Sequence, residues 1–456
     1  MAFVVLAASI LFIVLAIVVL KLHPFLALIL AAMLVGLLSP VSLGEGAPQA
    51  VLALELTAAG FGQTAAGIGI VIVLAAIIGQ CLMESGAADR IVSALLRWFG
   101  ERRADASLMG SGYILSVPVF FDTVFFLLVP IARTLWARTR AHYVVYVMAI
   151  SGGAVITHSV VPPTPGPLVM TEALGLDLGT AILGGLLLGL LPAGVALVLA
   201  HAVDARLTVE PAAILREDEP VAPPRLPGLA PSLLPVLLPV VLIAGHSIVD
   251  LLDRRSPDTW GWLLPWTAFF GNKNLALLLA ALAAAWVLKR VRHLSLADLS
   301  RRLEPAVTSA GVIILITCAG GAFGSMLARI GIDEGLRGLS GAGSGLGILF
   351  VAFATSAVIK TAQGSGTVAM ITTSGIMAAI LPEVGALPFH RLYVYAAIGF
   401  GSVVISWMND SGFWVVCKMS GLTEKETLST WTLMLVVIGV VGFLEVLALS
   451  QLLPLV

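Results

Sequence analysis

THSVVPPTPGP, residues 157–167, puts a histidine and four prolines inside an apolar stretch long enough to cross a membrane. Proline has no N–H to donate and its ring clashes with the preceding turn, at roughly 3 kcal/mol for each position in a helix interior. A continuous helix through Pro162, Pro163, Pro165 and Pro167 is therefore not expected. The helix opens, frees carbonyls, and restarts at a new N-terminus whose unpaired N–H groups favour an anion.

The rest of the chain is equally apolar. Of 456 residues, 59% are hydrophobic and 11% charged, with a mean hydropathy of +1.05; soluble domains carry about 25% charged residues. Runs of about 20 apolar residues recur from end to end, enough to cross a core of roughly 30 Å. The fold class is an all-α polytopic membrane protein. Ten transmembrane helices are expected, near 2–20, 24–39, 66–84, 143–170, 178–203, 230–251, 273–290, 304–328, 390–418 and 428–453. The first is read as a span and not a signal peptide, because it lacks a basic lead and a small-residue cleavage site. A net charge of -1, with basic residues spread over loops, excludes nucleic acid as a partner. Cys81, Cys318 and Cys417 lie in or beside spans with no CxxC and no Cys/His cluster, so neither a disulfide frame nor a metal site is expected, and no cofactor. The partners are membrane lipid and a small solute.

Each half carries one more apolar segment interrupted by polar residues, around 107–138 and 343–382, and each reads as a re-entrant hairpin. Interrupted segments in corresponding places of two halves point to an inverted-repeat transporter and its binding site. The halves align directly: YVMAISGGAVIT (146–157) against YAAIGFGSVVIS (395–406) matches Tyr146 to Tyr395, Gly152 to Gly401, Val155 to Val404 and Ile156 to Ile405. Orientation agrees. Arg90, Arg97, Arg102 and Arg103 follow the third span and Lys289, Arg290, Arg292, Arg301 and Arg302 follow the eighth, whereas 41–65 and 171–180 carry no Lys or Arg. The positive-inside rule puts both basic segments in the cytoplasm. Five spans per half then invert the second half, and the polar, proline-rich segment 205–228 is the cytoplasmic linker.

Polar residues inside spans are costly, so the exceptions carry the information. Besides THSVVPPTPGP they are SWMNDSGFW (406–414), TAQGSGTVA (361–369) and VFFDTVFF (119–126). In the first pair, Asn409, Asp410, Ser411 and Gly412 break a helix at the point matching the prolines. In TAQGSGTVA, Gly364 and Gly366 let backbone approach a ligand, with Gln363, Ser365, Thr367 and the nearby Lys360 as donors. In VFFDTVFF, Asp122 and Thr123 stand among bulky apolar neighbours. Each has two readings. His158 is a packing residue or a contact for substrate or proton; Asp122 caps a hairpin turn or, desolvated, carries a proton. Asp410 caps a half-helix or couples an ion, and Lys360 snorkels or meets substrate. Glu84, Glu172 and Glu445 lie nearer span ends.

THSVVPPTPGP, GGAFGSML (320–327), AVIKTAQGSGTVAM (357–370), SWMNDSGFWVVCKMSGLTEKETLSTWT (406–432) and VPVFFDTVFFLLVPIA (117–132) resemble the gluconate permease family in order and spacing, over most of the chain. The resemblance implies a bacterial inner-membrane permease, not an enzyme, that imports a sugar-acid anion such as gluconate by proton symport. It also implies membership of the ion-transporter superfamily: a homodimer with two inverted repeats, two re-entrant hairpins and two broken helices, working as an elevator. On that pattern the first repeat is 1–204, with scaffold helices 1–84, hairpin 107–138, broken helix 143–172 and helix 178–203. The second is 229–456, with scaffold helices 230–328, hairpin 343–382, broken helix 390–420 and helix 428–453. The substrate-binding set carried over is Thr123, His158, Pro163, Thr164, Gly166, Lys360, Gln363, Gly364, Ser365, Gly366, Thr367, Asn409, Ser411 and Gly412, and the proton-coupling set is Asp122, Asp410 and His158. The sequence departs from the pattern at Thr164, where family members that carry gluconate often have histidine. That leaves a smaller hydroxy acid or a D-amino acid as alternative cargo, and sodium as the alternative ion. An intramembrane enzyme built on His158 with Asp122 or Asp410 is the reading of a different class, without the clustered ligands or nucleophile motif it would need.

Overall fold

The computed structural model describes residues 2–39, 42–44, 47–99, 103–207, 209, 226–255, 259–329, 345–381, 387–408 and 410–455. Among them every regular element is helical. The chain begins with α1 (Ala2–Val18), α2 (Pro24–Leu37), α3 (Gln49–Ser85) and α4 (Ala87–Phe99). A hairpin follows, α5 (Ala104–Leu115) and α6 (Phe121–Thr139), then α7 (Tyr143–Val160), α8 (Pro165–Ala173), α9 (Leu178–Leu188) and α10 (Leu190–Asp204). The second half runs α11 (Leu229–Arg255), α12 (Leu264–Phe270), α13 (Lys273–Arg292), α14 (Leu296–Arg329), α15 (Gly345–Gln363) and α16 (Gly366–Ile380). It ends with α17 (Leu392–Gly401), α18 (Ser411–Ser420), α19 (Glu424–Thr427), a π-helical turn over Leu428–Thr432, and α20 (Leu433–Leu452).

Both expected helix breaks are present. The prolines separate α7 from α8 at 161–164, and the stretch 402–410 separates α17 from α18. Both hairpins also turn inside apolar sequence, at 116–120 and at 364–365, where Gly364 adopts φ +86. That left-handed conformation is one a residue without Cβ reaches at no steric cost.

Ten spans were expected, whereas eight helices among the described residues are long and apolar enough to cross a bilayer. The difference has local causes. α1 and α2 are 17 and 14 residues long, the 390–418 span divides into α17 and α18, and α15 counts as long enough although it is one arm of the second hairpin. Of the 205–228 linker, only 205–207, 209 and 226–228 are among the described residues, and residues 343, 344 and 382 of the second hairpin are outside them.

Packing shows what each part faces. In the most apolar stretch of the broken helix Tyr143–Ala173, 94% of residues are buried, against 28–50% for the other seven spans. The prolines therefore sit in protein and not in lipid, where an open backbone is tolerated. α3 and α14 run along each other, flanked by α2 and α13, while α15 packs on α17 and α10 on α20. Arg302 pairs with Glu84 at 2.7 Å and Arg292 donates to the Glu84 carbonyl at 2.8 Å. These bonds gather the ends of α3, α13 and α14 on one face, as the distribution of basic residues requires. Leu187, Val198, Trp262, Trp266 and Trp286 are exposed on the outside, suited to lipid and its interface.

α5 lies almost in backbone contact with α7. A Cβ on Gly112 would come within 2.6 Å of the Ile150 carbonyl oxygen, and one on Gly153 would meet the Met109 carbonyl. Gly112→Ala is accordingly expected to lower stability by about 1–3 kcal/mol, the usual cost of overpacking, read as a lower melting temperature of the purified protein in detergent. An unchanged melting temperature would mean that the two helices separate without cost.

Candidate functional site

Opening a helix in a protein interior leaves carbonyls that need donors. At the first break they are found nearby. Thr164 donates its hydroxyl to the carbonyls of His158 at 3.0 Å and Val161 at 2.8 Å, and Tyr395 of α17 donates to the Val160 carbonyl at 2.9 Å. At the second break Ser406 is the centre. Its carbonyl accepts from Thr432 and its hydroxyl accepts from the Trp431 indole at 2.7 Å, both donors lying on the π-helical turn. Trp407 and Trp414 donate their indole N–H groups to the carbonyls of Thr361 at 2.9 Å and Met408 at 2.8 Å.

Asp410 caps α18, one carboxylate oxygen accepting from the Gly412 amide at 2.9 Å. The other oxygen takes the Ser406 hydroxyl and the Lys360 ammonium, the latter at 2.5 Å. Lys360 also donates to the Gly364 carbonyl at 2.6 Å, so one buried ammonium ties the second hairpin to the second broken helix. Ser365 caps α16, accepting from the Val368 amide at 3.3 Å.

These elements enclose one cavity of about 410 Å³. Four helices begin at its wall: α6 with Phe121, Asp122 and Thr123, α8 with Pro165, α16 with Gly366 and Thr367, and α18 with Ser411 and Gly412. Each start brings the positive end of a helix dipole to the wall, which favours an anion; α8, opening on Pro165, Gly166 and Pro167, has few amides to offer, the Gly412 amide is taken by Asp410, and the Lys360 ammonium stands there paired with Asp410. Asp122 lies within electrostatic range of Asp410 and has no ion-pair partner among the described residues. Among the described residues, two buried wall atoms have no hydrogen-bond partner, Nδ1 of His158 and the hydroxyl of Thr317. His158 also meets Phe120 edge to face, with ring centroids 6.3 Å apart.

Of the residues singled out in the sequence, Asp122, Thr123, His158, Pro165, Lys360, Ser365, Gly366, Thr367, Asp410, Ser411 and Gly412 line this cavity. Pro163, Thr164, Gly166 and Gly364 are not part of its lining. Thr164 is buried with its hydroxyl committed to the opened helix end, and Gly166 packs against Met370. The Gln363 side chain and Asn409 fall outside what the structure describes.

The sequence profile of the GntP family permeases matches residues 1–453. The chain belongs to that family. It is 32% identical to a gluconate permease of Pseudomonas aeruginosa over 434 residues, covering 94% of this chain and 93% of the relative. It is 28% identical to the low-affinity gluconate transporter of Escherichia coli, covering 92% of each. The L-idonate transporter of the same organism is also 28% identical, over 99% of this chain and 100% of the relative. Among solved structures the fold is similar to the YdaH transporter of Alcanivorax borkumensis, with a TM-score of 0.64 at 18% identity over 95% of this chain and 98% of that one. It is likewise similar to the MtrF efflux pump of Neisseria gonorrhoeae, with a TM-score of 0.66 at 15% identity over 95% and 96%. The GntP chain is thus a multi-pass membrane permease and not an enzyme.

Several wall residues of this GntP permease escaped the sequence reading. Trp431 stacks obliquely on Phe121, with ring centroids 5.1 Å apart, and Ser402 and Ser159 stand beside the breaks. From α14 come Ser309, Ile313, Ile316 and Thr317, on one helical face. Ser402 and Ser159 carry a usable signal, since each lies within a few residues of a break. The α14 face carries none, because its sequence reads as an ordinary lipid-spanning helix.

Thr164→Val removes the one hydroxyl that serves two freed carbonyls. Its expected effect is a loss of stability of about 1–3 kcal/mol, visible as a lower melting temperature. A variant as stable as the parent would take the hydroxyl out of the account of this break.

Proposed function

We propose that the chain imports gluconate or a closely related sugar acid across the bacterial inner membrane by proton symport. The observation that carries this reading is the meeting of four helix N-termini and a lysine at one intramembrane cavity, in a member of a family whose relatives include gluconate and idonate carriers. The cavity, about 410 Å³, falls within the range of roughly 300–1,000 Å³ usual for small-molecule sites. The substrate carboxylate meets the start of α16 at Ser365 to Thr367 and the start of α18 at Ser411 and Gly412, with Lys360 between them. Thr123, Ser402 and His158 supply hydrogen bonds for the hydroxyls.

Moving an anion into a negative-inside cell costs about 2.3 kcal/mol per 100 mV, which one co-transported proton cancels and a second turns into a driving force. The acids that face the cavity, Asp122 and Asp410, are the groups able to carry it. In the same reading the chain is two inverted repeats, residues 1–204 and 229–456 joined by 205–228. The parallel order of hairpin, broken helix and closing helix in each half supports it. A homodimer whose hairpins and broken helices travel as an elevator past α3 and α14 completes the reading.

Proteoliposomes loaded and diluted so that a pH gradient and a sodium gradient are imposed separately test the whole reading with labelled gluconate. Accumulation is expected under an inward proton gradient and not under sodium alone. Uptake of no sugar acid under either gradient would overturn the function, and accumulation on sodium alone would replace the coupling ion.

A further inference from the structure

We propose that substrate and proton are linked by the exchange of one ion pair: the substrate carboxylate takes Lys360 from Asp410, and the released Asp410 takes the proton. This deepens the function proposed above and rests on it.

In the structure Lys360 and Asp410 are paired at 2.5 Å, both buried, both in the cavity wall, and contributed by different elements, α15 and the start of α18. The wall therefore holds one cation and two carboxylates, Asp122 and Asp410. An incoming carboxylate attracted to the α16 and α18 N-termini arrives beside Lys360, the only ammonium in that wall among the described residues. Both carboxylates cannot keep the same ammonium at full strength. The substrate is the mobile partner with two oxygens, and Lys360 remains tethered at the α16 end through the Gly364 carbonyl at 2.6 Å, so the ammonium is already on the side where the anion docks.

Asp410 does not move when Lys360 leaves. The Ser406 hydroxyl and the Gly412 amide still hold it, and Ser406 is itself braced by Trp431 and Thr432. What changes is its charge balance: a buried carboxylate without its cation, in electrostatic range of Asp122, suffers the full desolvation penalty and repulsion from a like charge. Binding a proton from the water to which the cavity opens removes both. Wall and bound substrate together then carry the same net charge as the empty wall. On release the substrate frees Lys360, Asp410 returns its proton to water on the other side, and the pair re-forms.

The other titratable groups around Asp410 do not supply a rival countercharge. Asp122 on α6 is an acid and His158 on α7 makes no hydrogen bond through Nδ1. At the far end of α18, Arg133 of α6 is bonded to the Met419 carbonyl, Lys418 pairs with Glu424 at 3.6 Å, and Lys425 and Glu426 lie on α19 beyond it.

The test is calorimetric titration of the full-length purified protein with gluconate, in buffers of different ionisation enthalpy and across the neutral pH range. The wild type is expected to absorb about one proton per gluconate, with affinity falling about tenfold per pH unit where Asp410 must be charged before binding. Asp410→Asn keeps an α18 cap and leaves Lys360 unclaimed; it is expected to bind gluconate with no proton uptake and no pH slope. Lys360→Met/Asp410→Asn removes both charges together, so no lone buried charge threatens folding, and is expected to lose gluconate binding. A pair that serves only structure would leave the proton count per bound gluconate unchanged in Asp410→Asn. That result, or wild-type affinity in the double variant, overturns the exchange. Absence of binding by the wild type for any sugar acid overturns the proposed function and the exchange with it.

Discussion

A helix that opens inside a membrane protein must find new partners for its carbonyls and amides, because no bulk water reaches them. Both breaks meet that demand with side chains from other segments. Tyr395 of the second broken helix serves the first, and Trp431 and Thr432 of the π-helical turn serve the second. The freed carbonyls named above are satisfied this way, and the starts of the restarting helices α8 and α18 come to the cavity wall.

That arrangement explains how an apolar protein holds an anion without a cluster of bare charges. Partial charges from four helix starts are fixed in place by folding and need no reorganisation when ligand arrives. The one full positive charge in the wall, Lys360, is neutralised by Asp410 in the structure described. Beside that pair the wall carries a second carboxylate, Asp122. Solved transporters at 15–18% identity are similar to it in fold, with TM-scores of 0.64 and 0.66.

Much of the site was legible one residue at a time. Prolines in a hydrophobic run, Asp410 before Ser411 and Gly412, Gly364 between Gln363 and Ser365, and Asp122 among phenylalanines all violate the rules for a lipid-spanning helix, and residues of each of these stretches line the cavity. Thr164 misled. Its position in the proline motif suggested ligand contact, but its hydroxyl points back at the helix it terminates, an orientation set by the three-residue return of the chain and not by residue type. Lys360 was readable as a donor, whereas its partner, fifty residues away, was not. The α14 face was invisible because Ser309 and Thr317 obey the composition of an ordinary span, and only packing decides which side of such a helix meets protein.

By itself the sequence determined that the chain is an all-helical membrane protein, where its helices break, and which family it belongs to. Those properties follow from local physics, apolar length against bilayer thickness and proline or glycine against helix continuity, together with long shared motifs. The tertiary structure alone decided that the broken helix is sheathed in protein, that four helix starts share one cavity, and that Lys360 meets Asp410. These are relations between segments far apart in the chain, and no local pattern encodes them, because a side chain's partner is fixed by how whole helices cross and not by its neighbours in sequence.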